Sequence, residues 1–169
     1  MNKKTEFERI NVKERKENHG EERTFDQVDK RILSELLADS RQSFRQIARK
    51  IGISPGTVLK RIKKLETSGI LKYYTVILDH EKLGYDLAAI IELTISKGKL
   101  IDVEKEIAKH KNVLGVYDVT GTTDAIILAK FKTRRELNNF VKKILAMEFI
   151  ERTNTRVILN TIKEDFRLF

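Results

Sequence analysis

The sequence predicts an α+β chain, with a small helical N-terminal unit followed by a unit that alternates strands and helices. Between residues 26 and 70, apolar side chains recur every three or four positions in three runs separated by glycine or polar breaks, the period of amphipathic helices. After residue 86 the pattern becomes short runs rich in Val, Ile and Leu, alternating with helical runs. Their order reads β-α-β-β-α-β, a ferredoxin-like arrangement.

Composition sets the frame. A chain of 169 residues suits one average domain or two small ones; 40% hydrophobic residues support a core and 35% charged residues a well-solvated surface. There is no long apolar run to cross a membrane and no apolar signal region at the N-terminus, so a cytoplasmic protein is expected. The absence of cysteine excludes disulfides and thiolate metal sites. His19, His80 and His110 are scattered, so no metal site, catalytic residue or cofactor is expected.

Four segments follow from these patterns. Residues 1–24 form a charged extension with seven Lys or Arg against six Glu, read as a frayed helix or disordered arm; a docked amphipathic helix or a basic arm on DNA are the other options. Residues 25–72 are expected to form a winged helix-turn-helix, 73–85 a hinge strand and linker, and 86–169 the ferredoxin-like unit.

The first helix is expected from about Asp26 to Ala38, with Val28, Ile32, Leu33, Leu36 and Leu37 inward and Asp26 and Asp29 at the positive end of the dipole. The second begins at Ser43, places Phe44, Ile47, Ala48 and Ile51 on one side, and ends at Gly52. The third has the clearest start: Ser54 as N-cap and Pro55 at the first helical position, where its missing N–H is harmless. Gly69 closes it. Tyr73–Leu78, rich in β-branched and aromatic residues, reads as a strand serving as wing or hinge.

Further on, the expected elements are a buried strand over Leu87–Ile95, a helix over Leu100–His110 and strands over Val113–Thr120 and Ala125–Phe131. A helix capped by Thr133 and a last strand over Ile150–Ile162 complete the order. The strands are apolar on both faces over much of their length, while the helices cover one face. A second copy of the chain is the simplest cover for the other.

Charge points to a partner. Residues 41–72 carry nine basic side chains (Arg41, Arg45, Arg49, Lys50, Lys60, Arg61, Lys63, Lys64, Lys72) against one acid, Glu66. A polyanion suits that segment. In a helix-turn-helix the second helix of the pair enters the major groove. Here Val58, Ile62 and Leu65 would hold the helix to the core, leaving Thr57, Lys60, Arg61 and Lys64 as a polar face. Ser54 and Thr57 sit at its leading end, and Gly56 allows close approach. Arg61 is expected to read guanine with two hydrogen bonds. Lys60, Lys63 and Lys64 are expected on phosphates. Ser43, Arg45 and Pro55 belong to the same candidate surface, and Arg41 and Lys50 can flank the backbone.

From Asp26 onward the chain resembles the leucine-responsive regulatory protein/AsnC family, also called feast/famine regulators. The resemblance rests on Asp-x-x-Asp-x-x-Ile-Leu at 26–33, Ile-Gly-Ile-Ser-Pro at 51–55 and Arg-Ile-Lys-Lys-Leu-Glu-x-x-Gly-Ile at 61–70, and it extends through the C-terminal part over roughly 140 residues. It implies sequence-specific binding to double-stranded DNA, dimers that often assemble into octamers, and an amino acid or similar small effector bound between subunits. The family's effector loop has the form Gly-x-x-Asp, which here spans Thr120, Gly121, Thr122, Thr123 and Asp124. Backbone N–H groups near a glycine can hold a carboxylate, and Asp124 can pair with an α-amino group. Thr153 and Thr155 are weaker candidates for a pocket wall. The family often has an acidic or aromatic residue mid-loop, where this chain departs with Thr122 and Thr123. Read without the resemblance, the loop is a hairpin turn. Two alternative functions remain: an enzyme subunit resembling sirohaem decarboxylase, and an architectural DNA-binding protein with little sequence choice.

Overall fold

A computed structural model describes residues 25–96 and 98–167; the expectations for residues 1–24 lie outside the described residues. The chain divides into two compact units, one running to Tyr74 and including Arg167, the other Thr75–Phe166.

The first unit holds α1 (Gln27–Ala38), α2 (Phe44–Ile51) and α3 (Pro55–Thr67). Each helix begins at a side-chain cap, which satisfies N–H groups that the helix cannot bond itself. Asp26 and Asp29 cap α1 reciprocally: the Asp29 N–H donates to Asp26 Oδ1 at 2.9 Å and the Asp26 N–H to Asp29 Oδ2 at 3.3 Å. Gly52, at φ 77°, takes the left-handed conformation that ends α2, and the Gly52 and Ile53 N–H groups both donate to the Ala48 carbonyl. The core joins Ile32, Leu33 and Leu36 of α1 with Ile47, Ala48 and Ile51 of α2 and Val58, Ile62 and Leu65 of α3. Those are the positions that the helical periodicity selects. Leu37 and Phe44 depart from expectation, at 37% and 39% exposed: Leu37 lies in the last turn of α1 and Phe44 is the first residue of α2, and neither joins the core.

Tyr73–Leu78 is not a strand: residues 73–79 lie outside helix and sheet, and Val76 and Ile77 are more than 70% exposed. Strand propensity describes how a side chain suits a paired, half-buried surface. Among the described residues the sheet has four strands, all between Leu87 and Val157, and this segment pairs with none of them.

The second unit is β1 (Leu87–Ile95), α4 (Leu100–Ala108), β2 (Val113–Asp118), β3 (Ala125–Phe131), α5 (Arg134–Leu145) and β4 (Ile150–Val157). The strands form one sheet in the order β2-β3-β1-β4, every neighbouring pair antiparallel. This is the ferredoxin-like arrangement. Thr133 caps α5, its hydroxyl accepting the Glu136 N–H. Burial alternates strictly along β3 and through most of β1. Ala89, Ile91, Leu93, Ala125, Ile127, Ala129 and Phe131 pack with Val103 and Ile107 of α4 and Leu137, Phe140 and Ile144 of α5. The opposite face carries Ile90, Ile126 and Leu128, all half-buried.

Two strands and one helix are shorter than expected. β4 stops at Val157 because its partner runs out: Val157 pairs with Ala89, two residues from the start of β1, and the Ile158 N–H makes one last bond to the Ala88 carbonyl. β2 ends at Asp118, opposite the first residue of β3. α4 ends at Ala108 rather than His110.

Candidate nucleic-acid interface and effector loop

The N-terminal ends of α2 and α3 share one surface. Ser43, Phe44 and Arg45 from α2 and Pro55, Gly56 and Leu59 from α3 line an open depression of about 570 Å³. Both helices begin with local caps. The Ser43 N–H donates to Gln46 Oε1 at 2.7 Å, and the Gln46 N–H donates to Ser43 Oγ at 3.3 Å. The Thr57 N–H donates to Ser54 Oγ at 3.1 Å, and the two hydroxyls lie 2.9 Å apart. The serines thus hold the helix ends in shape, and the positive ends of two dipoles open toward the same surface.

The side chains of α3 sort differently from expectation. Gly56, Lys60 and Lys63 are exposed and follow one another at i, i+4 and i+7, opposite the buried Val58, Ile62 and Leu65. Thr57 and Lys64, also exposed, form the flank on one side and Leu59 the flank on the other. A Cβ added at Gly56 would meet only Ser54 Oγ, at 3.8 Å, so the helix surface there is open to a close neighbour.

Arg61 does not belong to this face. Its guanidinium is bound to Asp26 and lies 3.2 Å from Asp29 Oδ1. Asp29 is fully buried, and a buried carboxylate needs a cation or several donors. The pair of acids that caps α1 takes Arg61 from α3, and both carboxylates meet its guanidinium at Nη1, on the α1 side of the helix. The hydrogen bond that Arg61 donates to Asp26, and to a lesser extent the one to Asp29, holds the guanidinium above its ordinary range, against the opposing effect of desolvation.

Among the other basic residues, Lys50 Nζ lies 2.6 Å from Glu35 and Arg41 Nε 3.3 Å from Asp39. These pairs are largely solvated and contribute little to stability. Arg45 lies at the depression itself. Sequence reasoning did not assign Leu59 and Phe44 to this surface. Their exposure, 38% and 39%, has a weak sequence signal: a leucine at the edge of a basic helical face.

In the second unit, residues 119–124 connect β2 to β3. Thr120, Gly121 and Thr122 are exposed, Thr123 and Asp124 half-buried. Asp124 is already engaged: its Oδ2 accepts the Ile95 N–H at 2.8 Å, and its own N–H donates to the Leu93 carbonyl at 2.9 Å. The carboxylate thus closes the end of β1 through Oδ2. Leu93 pairs with Ala125 on one side and Thr153 on the other, so Thr153 and the loop flank the same stretch of β1. Thr155 pairs with Ile91, two residues further from the loop. On the other face Glu92 receives a hydrogen bond from Asn154 at 2.8 Å and lies 3.0 Å from Arg156 Nε. Glu104 of α4 has a buried Oε1 without a hydrogen-bond partner; burial, and then the charge of Asp118, push its carboxyl above the usual range.

Comparison with known proteins agrees with this layout. Residues 25–72 match a winged helix-turn-helix DNA-binding family model and residues 88–168 an Lrp/AsnC ligand-binding domain model. An uncharacterized HTH-type transcriptional regulator of Pyrococcus abyssi is 48% identical over 85% of this chain and 97% of its own length. The HTH-type transcriptional regulator FL11 of Pyrococcus horikoshii is 36% identical over 85% of this chain and 95% of its own. Among solved structures, LrpC of B. subtilis superposes with a TM-score of 0.74 at 31% identity, covering 83% of this chain and 98% of LrpC. A Neisseria meningitidis transcriptional regulator in complex with L-Met superposes with a TM-score of 0.79 at 28% identity, covering 86% of this chain and 96% of that one. No helix among the described residues is long and apolar enough to cross a membrane.

Proposed function

This chain belongs to the Lrp/AsnC family of HTH-type transcriptional regulators, and from that premise we propose that its own DNA-contacting surface is the shared N-terminal end of α2 and α3. The observation that carries this reading is the exposed Gly56–Lys60–Lys63 face beside two capped helix N-termini. Cations on that face neutralise phosphates and set register, while the leading turns of α3 reach base edges. Ser43, Ser54 and Thr57 act by fixing the helix ends that face phosphate. The protein works as a cytoplasmic homo-oligomer, a dimer or a larger assembly such as an octamer, that places two such surfaces on two half-sites. It is a regulator, without enzymatic activity or a resident cofactor.

The effector of this reading is an amino acid held at the 120–124 loop. Asp124 Oδ1, which takes no part in the Ile95 bond, suits an α-amino group, and the loop's backbone N–H groups suit a carboxylate. The L-Met complex of the Neisseria relative lends weight to that class of ligand. Such a ligand changes DNA affinity only if it prefers one assembly state.

Selection of duplexes from a random pool, repeated with single amino acids, tests both parts. A consensus with two half-sites, whose enrichment shifts with one amino acid, is the expected result. Recovery of random sequence at physiological salt would instead favour an architectural DNA-binding role.

A further inference from the structure

The depression at the helix ends has an apolar rim, which a surface that only grips phosphate does not need. Leu59 and Phe44 stand at its edges, both more than a third exposed. Leu59 sits on the flank of α3 nearest α2, one position before Lys60 and three after Gly56. Around this rim the surface is cationic, with Arg45 at the depression and Lys60 and Lys63 on the adjoining face. An aliphatic group set among cations and beside a backbone that can be approached closely fits one feature of duplex DNA. In the major groove, thymine alone offers a methyl group, a few ångströms from the phosphates that those cations would hold. The guanidinium expected to read guanine is meanwhile bound to Asp26 and Asp29, so base selection falls to other side chains of α3.

We propose that Leu59 is a specificity-determining residue that reads a thymine 5-methyl group in the major groove, with Phe44 backing the contact from α2. This rests on the reading of the α2–α3 surface as the DNA-contacting one and names the chemistry it selects. Specificity at that position comes from apolar burial: the methyl leaves water against the leucine, whereas a cytosine there offers only a C5 hydrogen in the methyl's place, with a polar amino group on the adjacent C4.

The test takes the duplex most enriched by the random-pool selection and replaces each thymine in turn by uracil, which pairs identically and lacks only the methyl. The full chain should lose about fourfold in affinity at one or two positions, the effect of burying one methyl group, and at no others. Leu59→Ala should bind thymine and uracil duplexes alike at those positions, with an unchanged thermal melt because the side chain is at the surface. A native chain indifferent to uracil everywhere overturns the proposal, as does a Leu59→Ala variant that still discriminates. Neither result touches the DNA-binding reading. Failure of the chain to enrich any sequence would remove that reading and this inference together.

Discussion

The α2–α3 surface and the β2–β3 loop are made of similar groups: hydroxyls, a glycine, and side chains that carry charge. They use them differently. At the helix ends the hydroxyls are engaged locally, Ser43 with Gln46 and Ser54 with Thr57, and Lys60 and Lys63 stay at the surface. At the hairpin end the charge is engaged: Asp124 accepts the Ile95 N–H of the adjoining strand. The reason is geometric. Side chains radiate from a helix, so a helix can cap its ends with neighbours in sequence and keep its charges outward. A sheet strand that outruns its partner leaves N–H groups for a neighbouring loop to satisfy. Arg61 shows the helical rule being broken by a second helix that buries its own acid.

The largest way to test that contrast is Arg61→Ala. It strips the cation from a fully buried carboxylate and should destabilise the first unit by about 3 kcal/mol. Denaturant unfolding would measure it. Adding Asp29→Asn should return part of the loss, because the buried anion is then gone. An Arg61→Ala variant as stable as the native chain, with only its sequence choice relaxed, would restore Arg61 to the reading face.

This is also where the sequence was least legible. The three helices, their caps and the β-α-β-β-α-β order follow from period and capping chemistry, since those depend on neighbours within a few residues. The core positions Ile47, Val58, Ile62, Leu65, Ile91 and Ile127 follow for the same reason. Arg61 does not, because its partners lie 32 and 35 residues away and spacing says which side of a helix a residue occupies without saying what waits there. The Tyr73–Leu78 segment misleads because strand propensity needs a pairing partner. Asp124 stands out as a site residue only through the family resemblance, and its bond to Ile95 depends on strand register, which local pattern does not encode.

The loop supplies the next test. Asp124→Ala leaves the Ile95 N–H without its acceptor and should cost about 1–2 kcal/mol. Asp124→Asn keeps an oxygen for that bond and removes the charge, so it should unfold near the native midpoint while weakening an amino-acid effector. Equal stability of Asp124→Ala and the native chain would mean that the carboxylate is not closing the strand. A smaller effect belongs to Lys60→Ala: stability should stay within about 0.5 kcal/mol of native. Its slope of log affinity against log salt should fall by about one, the signature of one lost phosphate contact. An unchanged slope would place Lys60 away from the duplex.

The smallest effect separates charge from geometry at the α1 cap. The Asp29 N–H, and then the Arg61 guanidinium, hold the Asp26 carboxyl below its ordinary 3.8, against a partial desolvation penalty. A carboxyl whose folded pKa is depressed contributes stability that is complete above the unfolded value and disappears as pH falls through the folded one. Asp26→Asn preserves a capping oxygen but removes the charge. At neutral pH the native chain should therefore be modestly more stable than Asp26→Asn. The margin should shrink below 3.8 and close at lower pH, where both side chains are neutral. Because the Asp26 side chain is 43% exposed, molar salt should narrow the margin too. Paired urea titrations across that pH range would measure it. A margin that persisted in strong acid would mean that Asp26 holds α1 by shape alone, leaving the buried Asp29 as the charge that draws Arg61 away from the exposed Lys60–Lys63 side of α3.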